Sequence, residues 1–270
     1  MNQHAPAKKI TNVELLNMKQ RKEKIVSLTA YDSSFAHILD EAGVEMVLVG
    51  DSLGMVIQGQ TSTVPVTIDE MAYHSKIVSK GLSRSLLVTD MPFMSYPDPQ
   101  TAMHNAAILM QEGYAQMVKL EGGAKILDSV QHIVNQGIPV CGHLGLLPQS
   151  VNQLGGYRVQ GKEQAQADTM VDDAKGLEQA GASVIVIECV PAALGKRISE
   201  SINIPVIGIG AGVDCDGQVL VSYDMLDITH GKRPKFSKDF MADAHNVFDA
   251  VSQYVNAVKN KQFPADEHSF

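Results

Sequence analysis

Seven short stretches of the chain end in residues able to move a proton, hold a metal ion or bind an anion. In order these are Asp32, Asp51 with Ser52, Asp90, Lys119 with Glu121, His143, Glu188, and the glycines Gly208, Gly210 and Gly212. On a strand, Lys119 and Glu121 stand two apart and point to the same side. If Asp51, Asp90, Glu121 and Glu188 gather within about 6 Å, each pair repels by roughly 2–3 kcal/mol at an effective dielectric near 20. One lysine does not offset that. Either some carboxyls stay protonated or a divalent cation sits among them. Oxygen donors with no cysteine and a single histidine nearby favour Mg²⁺ or Mn²⁺ over Zn²⁺. Mg²⁺ keeps waters and leaves positions open to substrate oxygens, so such a site is catalytic.

Each residue alone also has a structural reading. Asp32, followed by Ser33 and Ser34, suits a helix N-cap and stands outside the proposed site. Asp51 could also cap a helix, and Asp90 before Met91 and Pro92 could serve a turn. Lys119 and Glu121 could be a plain ion pair. His143, between Gly142 and Leu144, could be a hydrogen-bonded core histidine. Glu188 is different: it lies inside VIVIECV, where a carboxylate is costly without a partner. The joint placement of these groups at successive strand ends is what argues for a site. GIGAG at 208–212 lacks the dinucleotide-binding glycine spacing. It either cradles an anion or allows close packing. No phosphate-binding G-x-x-x-x-G-K-[ST] loop and no G-x-S-x-G elbow occurs.

The elements that must position these groups alternate. Near-continuous apolar runs at 25–32, 46–52, 86–93, 117–123, 139–146, 183–190, 205–212 and 219–226 suit buried parallel strands. Segments 33–43, 163–181 and 236–258 carry apolar residues at helical spacing, and the first two close on a glycine. Thr11 and Glu14 are spaced as a capping box. Eight strands with helices between them predict a (β/α)8 TIM barrel, with an open doubly wound sheet as the rival. The eighth run follows the seventh after about six residues, too few for a crossover helix. We expect one domain over 1–270, with a helical N-terminal extension at 1–24 and a C-terminal helix and tail at 235–270. The long connections 53–65 and 147–162 read as lids.

An excess of 30 Asp and Glu over 22 Lys and Arg removes the simplest electrostatic reason to bind nucleic acid or anionic lipid. Cys141, Cys189 and Cys215 form no C-x-x-C pair, so reduced thiols and a cytoplasmic setting are expected. The N-terminal stretch has no apolar signal-peptide core, and no run is long enough to span a membrane.

Several motifs occur in a familiar order: VGDSLG (49–54), TDMPF (89–93), VKLEGG (118–123), GHLGLLPQS (142–150), GGYRVQG (155–161), IECVP (187–191) and GIGAGVDCDGQVLV (208–221). From about residue 10 to 240 the chain resembles the ketopantoate hydroxymethyltransferases. Met94, where that pattern has glycine, and Leu147, where it has threonine, depart from it. The resemblance implies a barrel of the phosphoenolpyruvate-binding type, Mg²⁺ dependence and a homodecamer of two stacked pentamers. It also implies the first committed step of pantothenate (coenzyme A) biosynthesis. There a hydroxymethyl group passes from 5,10-methylenetetrahydrofolate to 3-methyl-2-oxobutanoate through a Mg²⁺-stabilised enolate, giving 2-dehydropantoate. By matching positions, Asp51, Asp90 and Glu121 correspond to the metal site. Asp51, Ser52, Asp90, Lys119 and His143 correspond to the substrate contacts, and Glu188 to the proton acceptor. The folate pocket is not located; loops 58–63 and 155–161 are the places where we expect it. The alternatives are another enolate-forming barrel enzyme, such as a phosphoenolpyruvate mutase or a carbon–carbon lyase, and a barrel that serves as a scaffold.

Overall fold

The computed structural model describes residues 8–229 and 231–270. Eight parallel strands close on themselves in sequence order, which excludes the open doubly wound alternative. They are β1 (Ile25–Thr29), β2 (Met46–Val49), β3 (Leu86–Asp90), β4 (Met117–Glu121), β5 (Val140–Gly145), β6 (Val184–Glu188), β7 (Val206–Ile209) and β8 (Gly217–Leu220). Almost every strand residue is buried, as expected for a sheet covered on both faces. The helices are α1 (Asn12–Gln20), α2 (Ser33–Glu41), α3 (Leu53–Val56), α4 (Ile68–Val78), α5 (Pro99–Gln111) and α6 (Leu127–Asn135). They continue as α7 (Val151–Leu154), α8 (Gln164–Gln179), α9 (Ala192–Ser201), α10 (Ser222–Met225) and α11 (Val247–Lys259). Among the described residues, no helix is long and apolar enough to cross a membrane.

The eighth strand lies earlier than its apolar run. Pairing with β1 aligns Ile25 with Gly217 and Leu28 with Leu220, and residues beyond that turn into α10. Gly217 is required here, since a Cβ would stand 2.3 Å from the Ile25 carbonyl oxygen. The Ser222 N–H donates to Thr29 Oγ1 at 2.9 Å, so chain that reads as strand begins a helical turn. Residues between β7 and β8 cross without a helix.

The stripe at 236–258 is helical only from Val247. Asn246 caps that helix through the Asp249 N–H, while the upstream chain is tied elsewhere, Phe240 N–H donating to Met225 O. Phe240 still reaches the core, edge-on to Tyr254 and Phe263. Thr11 accepts from Glu14 N–H as a cap, but the Glu14 carboxylate turns to Arg21 (2.9 Å), so half of the expected box forms.

The two added helices fasten the barrel away from its C-terminal rim. From α1, Lys19 Nζ donates to Ser199 O (2.8 Å) and Ile204 O (2.9 Å) and pairs with Asp216 (2.8 Å), all before β7 and β8. From α11, the Tyr254 hydroxyl donates at 3.1 Å to the carbonyls of Ser27 and Gln218, across the β1–β8 seam.

Candidate active site

Strand register brings the chemistry together. Asp90 ends β3 beside Lys119 of β4, and Glu121 ends β4 beside His143 of β5. Asp51 follows β2 and Glu188 ends β6. All seven residues expected at the site (Asp51, Ser52, Asp90, Lys119, Glu121, His143 and Glu188) line one cavity of about 520 Å³. Asp32 is elsewhere, capping α2 through Ser34 and Phe35 N–H. The glycines of GIGAG pack closely: a Cβ would stand 2.9 Å from Cys215 Sγ at Gly208 and 2.6 Å from Ala192 Cβ at Gly212. Close packing is the reading that these contacts favour over an anion cradle.

The contacts form a chain. Lys119 Nζ pairs with Asp90 Oδ1 at 2.7 Å, with both side chains about 4% exposed. Asp90 Oδ2 accepts the Asp51 N–H at 3.0 Å, so Asp90 serves this contact and no turn of its own. Lys119 Nζ also lies 3.3 Å from His143 Nδ1. With the ammonium donating there, the proton of a neutral imidazole sits on Nε2, 3.3 Å from Glu188 Oε2. Glu121 Oε1 stands 3.3 Å from the same Nδ1. Ser52 Oγ is held 2.9 Å from the Tyr31 hydroxyl.

Protonation follows from crowding and burial. Burial, then the charges of Asp90 and Glu121, raise the Asp51 carboxyl well above the ordinary range. Burial lifts Glu121 to about 7, with Lys119 opposing and Asp90 adding to the rise. Burial also raises Glu188, opposed by His143. Burial opposes the Lys119 charge, but Asp90, Glu121 and Asp51 outweigh it and hold its proton firmly. His143 is lowered by burial and by Lys119, which keeps the ring neutral.

Three polar residues escape sequence reasoning. Gln149 is buried: its Nε2 donates at 2.9 Å to both Asp51 Oδ2 and Met91 O, and its N–H donates at 3.1 Å to Glu121 Oε2. Its Oε1 accepts from the Tyr96 hydroxyl at 2.5 Å, and Tyr31 holds Ser52. The only signal for Gln149 was its place in GHLGLLPQS. It enters on the turn Pro148–Ser150, so the first part of the 147–162 connection is packed into the site. Further on, Tyr157 donates to Met55 Sδ at 3.5 Å, joining the two connections that read as lids.

Among the described residues, no three His, Cys, Asp or Glu side chains converge as a ready metal cage. Of the expected trio, Asp51 and Asp90 lie together, whereas Glu121 is engaged by Gln149 and faces His143. The residues nevertheless fit a hard divalent ion. Glu121 Oε1 is buried without a hydrogen bond, and the acidic cluster has one lysine, whose ammonium is already taken up by Asp90 Oδ1. Mg²⁺ commonly takes only one or two protein carboxylates and fills its shell with water and substrate oxygens. Asp51 and Asp90 can supply those two.

A family profile described as ketopantoate hydroxymethyltransferase matches residues 9–266. A 3-methyl-2-oxobutanoate hydroxymethyltransferase of Nitrosococcus oceani is 55% identical over 262 residues, covering 97% of this chain and 99% of that protein. Among solved structures, a phosphonopyruvate hydrolase in complex with oxalate and Mg²⁺ superposes with a TM-score of 0.60 at 10% identity, covering 78% of this chain and 80% of that one. A 2,3-dimethylmalate lyase, described as a member of the phosphoenolpyruvate mutase and isocitrate lyase superfamily, gives 0.55 at 14%, covering 81% and 76%. These two likenesses concern the fold.

Proposed function

The chain belongs to the ketopantoate hydroxymethyltransferase family, and from that premise we propose how its buried acidic cluster carries out hydroxymethyl transfer to 3-methyl-2-oxobutanoate. The observation that carries the reading is the line of contacts from Asp51 through Asp90, Lys119 and His143 to Glu188. It sets a cation-binding end apart from a proton-accepting end within one cavity.

At the first end Asp51 and Asp90 would hold Mg²⁺, with Glu121 beside them. That ion, when bound, supplies the Lewis acidity that makes the C3 hydrogen of the 2-oxo acid removable. Lys119 and Ser52 bind the acid's own oxygens, and the Asp90 pair fixes the ammonium in place. At the other end Glu188 takes the C3 proton. Burial makes it a stronger base than a free carboxylate. His143, neutral, faces Glu188 with its Nε2 3.3 Å from Oε2 and limits where that carboxylate can move. C3 then forms a carbon–carbon bond to the methylene carbon of 5,10-methylenetetrahydrofolate, whose carbon–nitrogen bonds break, and water supplies the hydroxyl oxygen of 2-dehydropantoate.

The three buried, unpaired cysteines suit a reducing cytoplasm. Exposed Tyr73, Phe93 and Met94 offer apolar surface for contacts in a decamer of two pentamers. Deuterium exchange at C3 of 3-methyl-2-oxobutanoate, followed by NMR without folate, tests the chemistry. Exchange that depends on Mg²⁺ supports it. No exchange with or without Mg²⁺ refutes it and favours a scaffold.

A further inference from the structure

The same cavity is polarised along its depth. Its floor holds Asp51, Asp90, Glu121 and Glu188, while Arg158, Lys232 and Lys235 line it too. All three cations are exposed. None of them pairs with a carboxylate among the described residues, although Arg233 beside them pairs with Asp227 and Asp239. In a chain of net charge −8, three cations with no paired carboxylate among the described residues around one opening stand against the mean charge of the protein. Aromatic rings accompany them. Tyr157 is half exposed, Phe236 and Phe270 line the same opening, and Lys235 Nζ sits 4.8 Å from the centre of the Phe270 ring while donating to Ser269 O.

We infer that this rim is the subsite for the anionic tail of the one-carbon donor, a folate bearing a chain of glutamates. The inference rests on the folate reading above. The donor's reactive methylene must reach C3 at the floor, so its other end points outward. That end carries an aromatic aminobenzoyl ring followed by carboxylates, which is the order of chemistry that aromatic residues and then unpaired cations would meet. The 155–161 loop supplies Tyr157, Arg158 and Val159 to the lining, whereas 58–63 supplies only buried Thr63. The acidic floor would repel the same tail, which fixes the donor's direction.

The test compares monoglutamyl with pentaglutamyl methylenetetrahydrofolate as donors. The unaltered enzyme should show the lower KM for the pentaglutamate, and added salt should erode that preference because exposed charges are screened. The double variant Arg158→Gln and Lys232→Gln should raise the pentaglutamate KM about fivefold, the scale expected for two exposed pairs, and bring the two donors level. Lys238→Gln, an exposed lysine outside the lining, should keep the preference. No preference in the unaltered enzyme, a preference that survives in the double variant, or a rise in the oxo-acid KM instead would each overturn the inference. Folate-independent C3 exchange by the unaltered enzyme separates the two failures. Exchange without a glutamate preference sinks the rim subsite alone, and absence of exchange sinks the underlying reading.

Discussion

Replacing Glu188 with glutamine tests the division of labour within the cluster. The substitution keeps the side chain's size and its approach to His143 Nε2, 3.3 Å away, and removes only the capacity to accept a proton. Loss of a positioned general base costs about 10²–10⁴ in rate, or about 3–5 kcal/mol of barrier. C3 exchange should fall by that factor. Binding of the oxo acid, measured by calorimetry with Mg²⁺ present, should change little, because Glu188 is separated from the Asp90–Lys119 pair by His143. The pH dependence gives a second readout. Burial raises the Glu188 carboxyl above the ordinary range. Exchange by the unaltered enzyme should therefore decline as pH falls through that raised value, and Glu188→Gln should lack that limb. The stability sign is opposite to that of a paired acid: a raised folded pKa favours the fold below it and costs stability as pH rises through it. The glutamine variant should then be at least as stable at neutral pH. Exchange within tenfold of the unaltered enzyme would exclude Glu188 as the base, and equal loss of binding and exchange would make it a binding residue.

Asp90→Asn should weaken Mg²⁺ binding in a calorimetric titration, and an unchanged isotherm would remove Asp90 from the ion's shell. Gln149→Leu leaves the Tyr96 hydroxyl, the Met91 carbonyl and Asp51 without their buried partner. At about 1–3 kcal/mol per orphaned group, urea unfolding should show a loss of several kcal/mol, and a loss below about 1 kcal/mol would mean water replaces the amide. Asp40 accepts from the N–H groups of Ser83, Arg84 and Ser85 and from two serine hydroxyls. Burial works against its charge, but those serine bonds outweigh it and hold its carboxyl down at about 2. Its contribution to stability is present above pH ~4 and fades as pH falls towards that value. Asp40→Asn should flatten the pH dependence of stability over that interval, and an unaltered profile would refute the assignment.

The strands were legible because a parallel sheet covered on both faces needs unbroken apolar runs, and a charged residue closing such a run stands out. Those features located Asp90, Lys119, Glu121 and Glu188 at their strand ends. The misreadings share a cause. At 219–226 and 236–258, apolar spacing continued past the point where specific polar contacts redirect the chain: Ser222 bonding to Thr29 and Asn246 capping α11. Spacing does not register such contacts. Gln149 was hidden for a related reason, since an amide on a loop carries no reactive chemistry. Its value emerges only when Asp51 and Glu121 are seen to need donors. Met94, where the resemblance led us to expect glycine, has φ +62°, the left-handed backbone that glycine adopts most easily. The family pattern there records a conformation that this chain keeps with a different residue.

The two ends of the barrel treat charge in opposite ways, and that contrast carries the functional argument further than any one distance. Beneath the sheet Lys19 meets Asp216 and two carbonyls, and Lys259 meets Glu45 and Glu23. Each cation there has partners in place, and these contacts tie α1 and α11 to the closure of the barrel. At the other rim, the raised carboxyls of Asp51, Glu121 and Glu188 share one lysine, which Asp90 already engages, and a buried oxygen of Glu121 lacks a hydrogen bond. A fold selected for stability alone would place apolar side chains there, because unmatched buried charge costs several kcal/mol. The closed sheet and its matched lower end supply the stability that lets this rim stay electrostatically incomplete. What completes it must be cationic at the Asp51–Asp90 end and must offer a proton at the Glu188 end. A divalent ion together with a 2-oxo acid bearing a C3 hydrogen meets both requirements.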